Sequence, residues 1–452
     1  LPYYRPVEDS PEMQYMRARR KSLNGYLPSR KADFDPVVAP ALEAFAAQLK
    51  STGDREISTT MSFVRILSSL VKDKQIGKQI VPIVPDEART FGMEGMFKTI
   101  GIYSSEGQKY TPHDAGQMMS YHESATGQIL EEGINEAGSM ASWIAAATAY
   151  SNYRVPMIPF YIYYSMFGFQ RIGDLAWAAG DSQARGFLMG ATAGRTTLNG
   201  EGLQHQDGHS HVMANTIPNC RTYDPTYAFE LAVIIQDGIK RMYQDKENVF
   251  YYISLMNENY QHPDMPAGAE EGIVKGLYLL EQGTGKAKNR VQLMGAGTIL
   301  REVRFAAEIL RKDFDVEADV WSVTSVNELT RDGQRATRWN MLNPTSAARK
   351  PYITQQLEGR DGPFVIATDN LKTYSEQLRA YVPGTYTVLG TEGFGRSDTR
   401  TQLRHFFEVN RYFVVIAALK SLADQGKIKP DVVAKAIKKF GIDPNKADPM
   451  SV

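Results

Sequence analysis

Cysteine is nearly missing from this sequence: Cys220 is the single one among 452 residues. One thiol excludes an internal disulfide and suits a reducing compartment, so we expect a cytoplasmic protein. An excess of charge is also missing, since 51 basic residues balance 51 acidic ones. Without a dominant sign, the sequence gives no electrostatic reason to expect nucleic acid or an anionic membrane surface as the main partner.

Long apolar runs and targeting signals are missing as well. The longest apolar stretch, from Val155 to Phe169, contains Pro156 and Pro159 and is too short to span a bilayer. No apolar core follows the early basic residues, so we expect no signal peptide. Because the first residue is Leu1 rather than Met, we expect a fragment, a processed product or a partly observed chain.

Familiar nucleotide-binding motifs fail at defined positions. In GAGTIL, Leu300 stands where a dinucleotide-binding loop has its third glycine. In QGTGKAK, Ala287 replaces the Ser or Thr that would hold magnesium, and Leu280 replaces the leading glycine. No G-x-S-x-G elbow occurs, and Cys220 beside Pro218 is a weak candidate for a nucleophile. Both glycine-containing segments predict ordinary turns.

Apolar residues make up 42% of the chain, which is enough for two or three domains. The proline-rich residues 1–57 predict a connecting arm in which only ALEAFAAQLK has a helical apolar period. Strand-like segments (QIVPIVPDEA, PMIPFYIYY, FLMGATAG and NVFYYISLMN) then alternate with helical ones, which predicts a mostly parallel α/β sheet. A Pro/Gly/charge-rich stretch near 261–290 predicts a boundary, so we expect domains over 58–265 and 266–452.

Glu136 is the most informative single residue. GQILEEGINEAGSMASWIAAATAYS predicts a helix with a wide buried face, formed by apolar residues at steps of three and four from Ile129 to Thr148. Glu136 stands among Ile134 and Met140 on that face. A glutamate early in a helix normally faces water and interacts with the helix dipole. Periodicity alone therefore leaves an exposed and a functional Glu136 equally open.

The segment PMIPFYIYYSMFGFQ predicts a strand followed by a helix, and most of its aromatic residues belong to the core. Alternation places Tyr161 and Tyr163 on one face of the strand. An active site in such a sheet lies outside the carboxyl ends of its strands. Tyr164 and Phe167 fall at that end and are therefore the candidates for a site.

Possible metal ligands crowd the segment HQDGHSH: His205, Asp207, His209 and His211. Alternating ligands on an extended strand would point to one face, and His/Asp sets bind zinc or iron. Gly208 and the surrounding glycines argue against that geometry. We favour a histidine that meets substrate from a loop, because an imidazole can donate or accept a proton near neutral pH.

Long runs of this sequence closely resemble the homodimeric, bacterial-type pyruvate dehydrogenases, the first component of the pyruvate dehydrogenase complex. The runs are DEARTFGMEGMF, GQILEEGINEAG, PMIPFYIYYSMFGFQRIGD, GRTTLNGEGLQHQDGHSH, MPAGAEEGI and GTEGFGRSD. The resemblance covers essentially the whole chain and corresponds to the C-terminal half of that family. It implies a thiamine-diphosphate-binding fold, with an aminopyrimidine-binding (Pyr) domain followed by a transketolase C-terminal-like α/β domain.

What this family does is implied by the same resemblance. We expect oxidative decarboxylation of pyruvate with thiamine diphosphate and Mg²⁺, and acetyl transfer to lipoamide of a dihydrolipoyl acetyltransferase component. The family's metal motif, G-D-G followed by Asn, does not occur, so the diphosphate-binding domain and the metal ligands are expected outside this chain. The chain would form one wall of a site between the subunits of a homodimer. Alternatives are another 2-oxo acid or a sugar phosphate as substrate, a non-catalytic dimerising and docking half-chain, and a metal hydrolase.

Cofactor-binding roles are also implied by the resemblance. Glu136 would contact the aminopyrimidine ring, where a buried carboxyl group can hydrogen-bond the ring nitrogen and favour the imino tautomer. Phe167 would form an aromatic wall beside that ring. Asp86 and Glu87, at the end of a predicted strand, would complete an acidic lining.

Roles toward substrate follow in the same way. Besides the catalytic Glu136, Tyr164 and His205 would contact substrate-derived oxygens, and His205 would also assist acetyl transfer. His209 and His211 receive no role.

Overall fold

Residues 3–23, 25, 34–85 and 88–452 are described by the computed structural model. The strands before residue 260 are β1 (Ile80–Val84), β2 (Ile102–Tyr103), β3 (Glu123–Ser124), β4 (Leu130–Glu131), β5 (Ile158–Tyr164), β6 (Phe187–Ala191), β7 (Cys220–Tyr223) and β8 (Phe250–Ser254). Those after it are β9 (Tyr278–Glu281), β10 (Asn289–Gly295), β11 (Val316–Ser322), β12 (Phe364–Ala367) and β13 (Tyr386–Leu389).

The helices alternate with these strands. In the first part of the chain they are α1 (Pro11–Ser22), α2 (Ala46–Leu49), α3 (Thr59–Leu70), α4 (Phe97–Ile100), α5 (Glu136–Ala147), α6 (Ala149–Tyr153), α7 (Phe169–Asp181), α8 (Ser210–Asn215) and α9 (Ala228–Ile239). In the second part they are α10 (Glu270–Lys275), α11 (Ile299–Phe314), α12 (Val326–Leu342), α13 (Tyr352–Leu357), α14 (Lys372–Glu376), α15 (Arg400–Phe406), α16 (Arg411–Asp424) and α17 (Pro430–Lys439).

The first sheet has the strand order β4-β1-β5-β6-β8-β7, and all of its pairs are parallel. Its central strands are buried along almost their whole length, because apolar helices cover both faces. The four strands predicted from the sequence are confirmed as β1, β5, β6 and β8. Strand β7 was missed, because its short sequence CRTY carries no run of apolar residues.

The second sheet has the order β13-β12-β10-β11-β9. Its pairs are parallel except that β9 runs antiparallel to β11. The prediction of a mostly parallel α/β architecture is therefore confirmed, with one antiparallel edge strand. Strand β9 lies inside the stretch predicted as a boundary, and the exact division of the chain near residue 265 stays a prediction.

The N-terminal region contains more structure than the connecting arm that the sequence predicts. Helix α1 was missed although Pro11 stands at its first turn and the Ser10 hydroxyl accepts from the N–H of Met13. None of its residues is buried. Within ALEAFAAQLK the helical part is short, and Phe45 is fully buried in the first core.

Helix α5 differs from the prediction at its start and in its buried face. The chain forms β4 and turns at Gly133, where φ is +73°, so the helix begins only at Glu136. Ile134, expected in the core, is 73% exposed. The buried face consists of Ser139, Met140, Trp143, Ala146 and Ala147. The prediction of one helix with a wide buried face that begins near Ile129 was therefore wrong, because the residues before Glu136 are not helical.

Trp143 fixes α5 against the sheet. Its side chain is fully buried, its indole N–H donates to the carbonyl of Phe187 at 3.1 Å, and its ring meets Phe250 edge to face at 5.8 Å. We expect Trp143→Ala to lower the free energy of unfolding by about 3 to 5 kcal/mol, as large-to-small core substitutions do. Urea denaturation measures this loss. Trp177→Ala is the control, since Trp177 is 53% exposed, and an equal loss in both variants would contradict the assignment.

Across the described residues, every helix is too short or too polar to cross a lipid bilayer.

Candidate active site

The candidate site lies where β5 ends. Tyr164 is the last residue of the strand, Ser165 to Phe167 form a single 3₁₀ turn, and α7 begins at Phe169. The turn needs a glycine at position 168, because a β-carbon there would collide with the Tyr163 ring. Local sequence thus directs the side chains that follow the strand to the carboxyl edge of the sheet, where ligands bind in parallel α/β folds.

Three rings meet at this edge. The ring centroids of Tyr164 and Phe167 are 6.1 Å apart, and the His205 ring lies 5.4 Å from Tyr164 and 5.1 Å from Phe167. Phe91 supports the cluster from behind, 5.3 Å from Tyr164. His205 arrives from the loop after β6, and its Nδ1 is buried without a hydrogen-bond partner. The structure thus brings together three residues that the sequence singled out separately.

Glu136 joins this cluster through an arginine. Its side chain is only 12% exposed, and its Oε1 lies 2.6 Å from Nη1 of Arg171. The guanidinium of Arg171 also covers the Phe167 ring, 4.2 Å from the ring centroid. Asn135 caps the helix by accepting from the N–H of Gly138 at 3.0 Å, which fixes the backbone that carries Glu136. The carboxylate is therefore largely buried and is joined to the aromatic cluster through Arg171.

Arg171 was missed by sequence reasoning. It stands four residues after Phe167 in the first turn of α7, a spacing that would have placed the two side chains near each other. The sequence offers no sign that it pairs with Glu136, because α5 and α7 meet only in the folded chain.

Beneath the site, the tyrosines of β5 belong to the core as predicted. Tyr161 and Tyr163 are fully buried, share one face of the strand and lie 4.6 Å apart. The Tyr161 hydroxyl donates to the backbone carbonyl of Glu136 at 3.4 Å. Burial first, and then the nearby Glu136 carboxylate, raise the pKa of Tyr161 well above its usual value, so it stays neutral.

The HQDGHSH segment does not converge on one point. Across the described residues, no group of three or more His, Cys, Asp or Glu side chains is placed to hold a metal ion. His209 lies 2.8 Å from the Gln170 amide, on the side of α7, whereas His211 is buried beside Tyr252 and Tyr374. Burial lowers the pKa of His211 to about 4, so its imidazole is neutral at physiological pH.

Two other candidates have simple outcomes. Asp86 and Glu87 lie outside the described residues, so their place in an acidic lining stays a prediction. Cys220 is buried in β7, and burial raises the pKa of its thiol to about 12, which leaves no thiolate to act as a nucleophile.

Contacts from the second sheet hold the loop that carries His205. The carboxylate of Asp369 accepts from the N–H and hydroxyl of Thr196, at 3.0 and 2.8 Å. Gln206, directly after His205, accepts at its Oε1 from the N–H of Arg396 at 2.7 Å. The run GTEGFGRSD thus lies against the loop, which gives the second part of the chain an indirect place in the site.

A second buried aspartate, Asp224, bonds residues of both parts of the chain, and its burial predicts that the stability of the fold depends on pH. Asp224 accepts from Ser254 at 2.6 Å and from Asn370 at 3.1 Å, but burial raises its pKa from 3.8 to about 7. Between those values the folded chain holds a proton that the unfolded chain has released, so this group's contribution to stability falls as pH rises from about 4 to about 7. An asparagine at position 224 does not titrate, so Asp224→Asn should not lose stability in this way. The free energy of unfolding of the variant minus that of the native chain should therefore rise by up to about 4 kcal/mol between about pH 4 and about pH 7.

Urea titrations at several pH values measure this difference, with the exposed Asp174→Asn as the control. A difference between Asp224→Asn and the native chain that does not change with pH would contradict the assignment.

Comparison with known proteins decides the family. A family model described as the pyruvate dehydrogenase E1 component middle domain matches residues 39–263, and one for the transketolase-like C-terminal domain matches residues 276–410. The pyruvate dehydrogenase E1 component of Pseudomonas aeruginosa is 62% identical over 451 residues, covering 100% of this chain and 51% of that protein. The chain belongs to the pyruvate dehydrogenase E1 family. The family resemblance in the sequence is therefore confirmed.

Other members of the pyruvate dehydrogenase E1 family agree. The E1 component of Escherichia coli K12 is 59% identical over 452 residues, covering 99% of this chain and 50% of that protein. The chain spans about half the length of the curated relatives it matches, and that half is the C-terminal one.

Solved structures support the fold. Transketolase from Campylobacter jejuni aligns with 91% of this chain and 51% of its own, at a TM-score of 0.61 and 16% identity. A split-gene transketolase, titled an inactive β4 tetramer, aligns with 81% of this chain and 98% of its own, at a TM-score of 0.53 and 17% identity. These likenesses show the fold alone, and the predicted transketolase-like fold class is confirmed.

Proposed function

We propose that this chain forms the aminopyrimidine-side wall of a thiamine-diphosphate site in an acetyl-transferring pyruvate dehydrogenase. The observation that carries the proposal is the continuous cluster Glu136–Arg171–Phe167–His205 at the carboxyl edge of the first sheet. Its residues come from α5, the turn after β5 and the loop after β6, and folding gathers them at one place. The family membership supports the same activity, with pyruvate as the substrate.

The side chains fit an aminopyrimidine. A flat heteroaromatic ring needs an apolar surface for its face and a hydrogen-bonding group for its edge. Phe167 and Tyr164 offer aromatic surface, and Glu136 is a largely buried carboxyl group joined to Phe167 through Arg171. Arg171 fixes the position of this carboxyl group in the structure, so a bound ring edge would share Glu136 with the arginine.

Thiamine diphosphate, when bound, supplies the carbon nucleophile and the electron sink that decarboxylation of a 2-oxo acid requires. Glu136 would hold and return a proton at the edge of the aminopyrimidine. Tyr164 would orient substrate-derived oxygens with its hydroxyl. The His205 ring lies beside both aromatic rings and makes no described hydrogen bond at Nδ1, so the imidazole would be free to move a proton during acetyl transfer to lipoamide.

An interface is supported by the outer face of α5. Ala137, Ala141 and Ala145 are exposed at steps of four, and Ile134 before the helix is 73% exposed. A helix without charged residues on its exposed face normally packs against another surface. This apolar face, adjoining Glu136, supports a homodimer with a site between subunits.

The acetyltransferase component of the complex is the proposed acceptor partner.

Calorimetry with thiamine diphosphate and Mg²⁺ tests the proposal. The reconstituted enzyme combines this chain with a polypeptide that corresponds to the other half of its relatives, the half that this chain does not span. Because charge-assisted metal and diphosphate contacts are expected there, the chain alone should bind the cofactor about a thousandfold more weakly. Equally tight binding by the chain alone would contradict the proposed division. A reconstituted enzyme that binds cofactor but does not turn over pyruvate would exclude the activity.

A further inference from the structure

Asp207 is a buried carboxylate to which neither the family resemblance nor the proposed function gives a role. It lies two residues after His205, and its side chain is 4% exposed. Its Oδ1 accepts from the backbone N–H groups of His209 and Ser210, at 3.0 Å each. Its Oδ2 accepts from the hydroxyl of Ser165. One carboxylate thus spans two segments that are 42 residues apart in sequence.

Ser165 is the first residue of the turn that holds Phe167, and it follows Tyr164 directly. Its hydroxyl also lies 2.7 Å from that of Tyr252, on β8. Gly190 on β6 leaves the room for this contact, because a β-carbon there would press on both hydroxyl groups. The turn is therefore fixed by a side-chain network and not by its own short 3₁₀ geometry alone.

The charge on Asp207 is maintained although the group is buried. Burial by itself would raise its pKa, but the nearby His209 imidazole and the hydrogen bonds from Ser165, Ser210 and the backbone bring the pKa below its usual value. An ionised, fully hydrogen-bonded carboxylate holds its donors more firmly than a neutral acceptor does.

Other contacts of the loop lead elsewhere. Gln206 and Gly208 bond to backbone groups of Arg396 and Leu371, which belong to the second part of the chain. Besides Asp207, the described hydrogen bonds between the loop and the turn include only a longer one, from the Ser210 hydroxyl to the Ser165 carbonyl at 3.4 Å. A second route is indirect: His209 lies 2.8 Å from the Gln170 amide, which donates to the carbonyl of Met166 in the turn at 3.3 Å. The shortest direct link between the loop of His205 and the turn of Phe167 is therefore the one through Asp207.

We propose that Asp207 is a positioning residue, which sets His205 against Tyr164 and Phe167 by joining their two segments through Ser165. The effect of Asp207 on catalysis rests on the proposed function, whereas the hydrogen-bonded link between the two segments is independent of that function. Asn at position 207 can keep the link: its Oδ1 accepts from His209 and Ser210, and its amide donates to a Ser165 hydroxyl turned toward Tyr252. Ala cannot, and Ser165→Ala breaks the link from the other side.

Amide hydrogen exchange on this chain tests the link without any enzyme assay. Reporters in the loop are the N–H groups of His205 and Gln206, which donate to Gly202 and Leu203, and the reporter in the turn is that of Gly168, which donates to Ser165. Both Asp207→Ala and Ser165→Ala should lower protection about tenfold in both segments, as loss of a buried charged hydrogen bond does. Asp207→Asn should keep most of it.

The control is Asp319→Ala, which removes a similarly buried carboxylate that accepts from Gly283 and Arg290 in the second sheet. It should leave these reporters unchanged. The decisive reading is the effect across the link, namely of Ser165→Ala on the amides of His205 and Gln206. Protection lost only on the mutated side, or an Asn variant as impaired as the Ala variant, would overturn the proposal.

Turnover then separates this proposal from the function on which it rests. In the reconstituted enzyme, Asp207→Ala should lower kcat for acetyl transfer about tenfold with little change in the KM for pyruvate, and Asp207→Asn should restore it. If protection is lost in both segments but the native enzyme does not use pyruvate, the proposed function is overturned and the positioning role stands. If protection is lost only in the mutated segment while pyruvate turnover is normal, the positioning role is overturned and the proposed function stands.

Discussion

Replacing Glu136 by Gln in the reconstituted enzyme should lower pyruvate turnover by about a hundredfold or more, the size of effect expected from losing a positioned acid–base group. An amide has nearly the shape of the carboxyl group and still hydrogen-bonds a ring edge, but it cannot hold and return a proton. Affinity for thiamine diphosphate should therefore change by less than about tenfold, because a charged hydrogen-bonding group is replaced by a neutral one that can still bond the ring. Steady-state kinetics and calorimetry on the same preparation measure the two effects.

The matched control for this variant is Asp174→Asn. Asp174 is an exposed acid three residues beyond Arg171 on α7, so the substitution removes a negative charge near the arginine without touching the cluster. It should leave turnover unchanged. Near-normal activity of Glu136→Gln would exclude Glu136 as the proton-holding group, and equal losses in both variants would indicate a general electrostatic effect.

Much of the first sheet could be predicted because its strands are short apolar runs between helices, the pattern that parallel sheets require. Tyr164 and Phe167 could be placed near a site from topology, since residues just past the carboxyl end of a parallel strand face the ligand crevice. Glu136 could not be assigned from periodicity. The resemblance to the family, and not the helical pattern, singled it out.

Three features escaped sequence reasoning because they depend on contacts between distant segments. The apolar pattern before Glu136 suggested one long helix, yet Leu130 pairs with Ile83 in the sheet and Gly133 turns the chain. The pairing of Arg171 with Glu136 depends on α7 lying beside α5, which no local pattern encodes. The role of the second part of the chain in holding the His205 loop depends on hydrogen bonds such as that between Arg396 and Gln206. Tertiary packing decided these features, and sequence reasoning reached only the elements themselves.

His205→Ala should separate two half-reactions of the reconstituted enzyme. The imidazole contacts Tyr164 and Phe167, and no described hydrogen bond commits its Nδ1 to the fold. We expect acetyl transfer to lipoamide to fall by about a hundredfold, as losses of general acid–base groups do. Decarboxylation, followed with an artificial electron acceptor, should fall much less because Glu136 is untouched.

A general loss of structure would lower both rates together, and this is why the ratio of the two assays is the informative quantity. His405→Ala provides the control: His405 packs on Phe413 in the second part of the chain, with ring centroids 5.6 Å apart, and its removal should change neither rate. Equal losses of both half-reactions in His205→Ala would assign His205 to binding or packing. A preserved acetyl transfer would mean that another group delivers the proton, since no rearrangement of the loop can replace the imidazole itself.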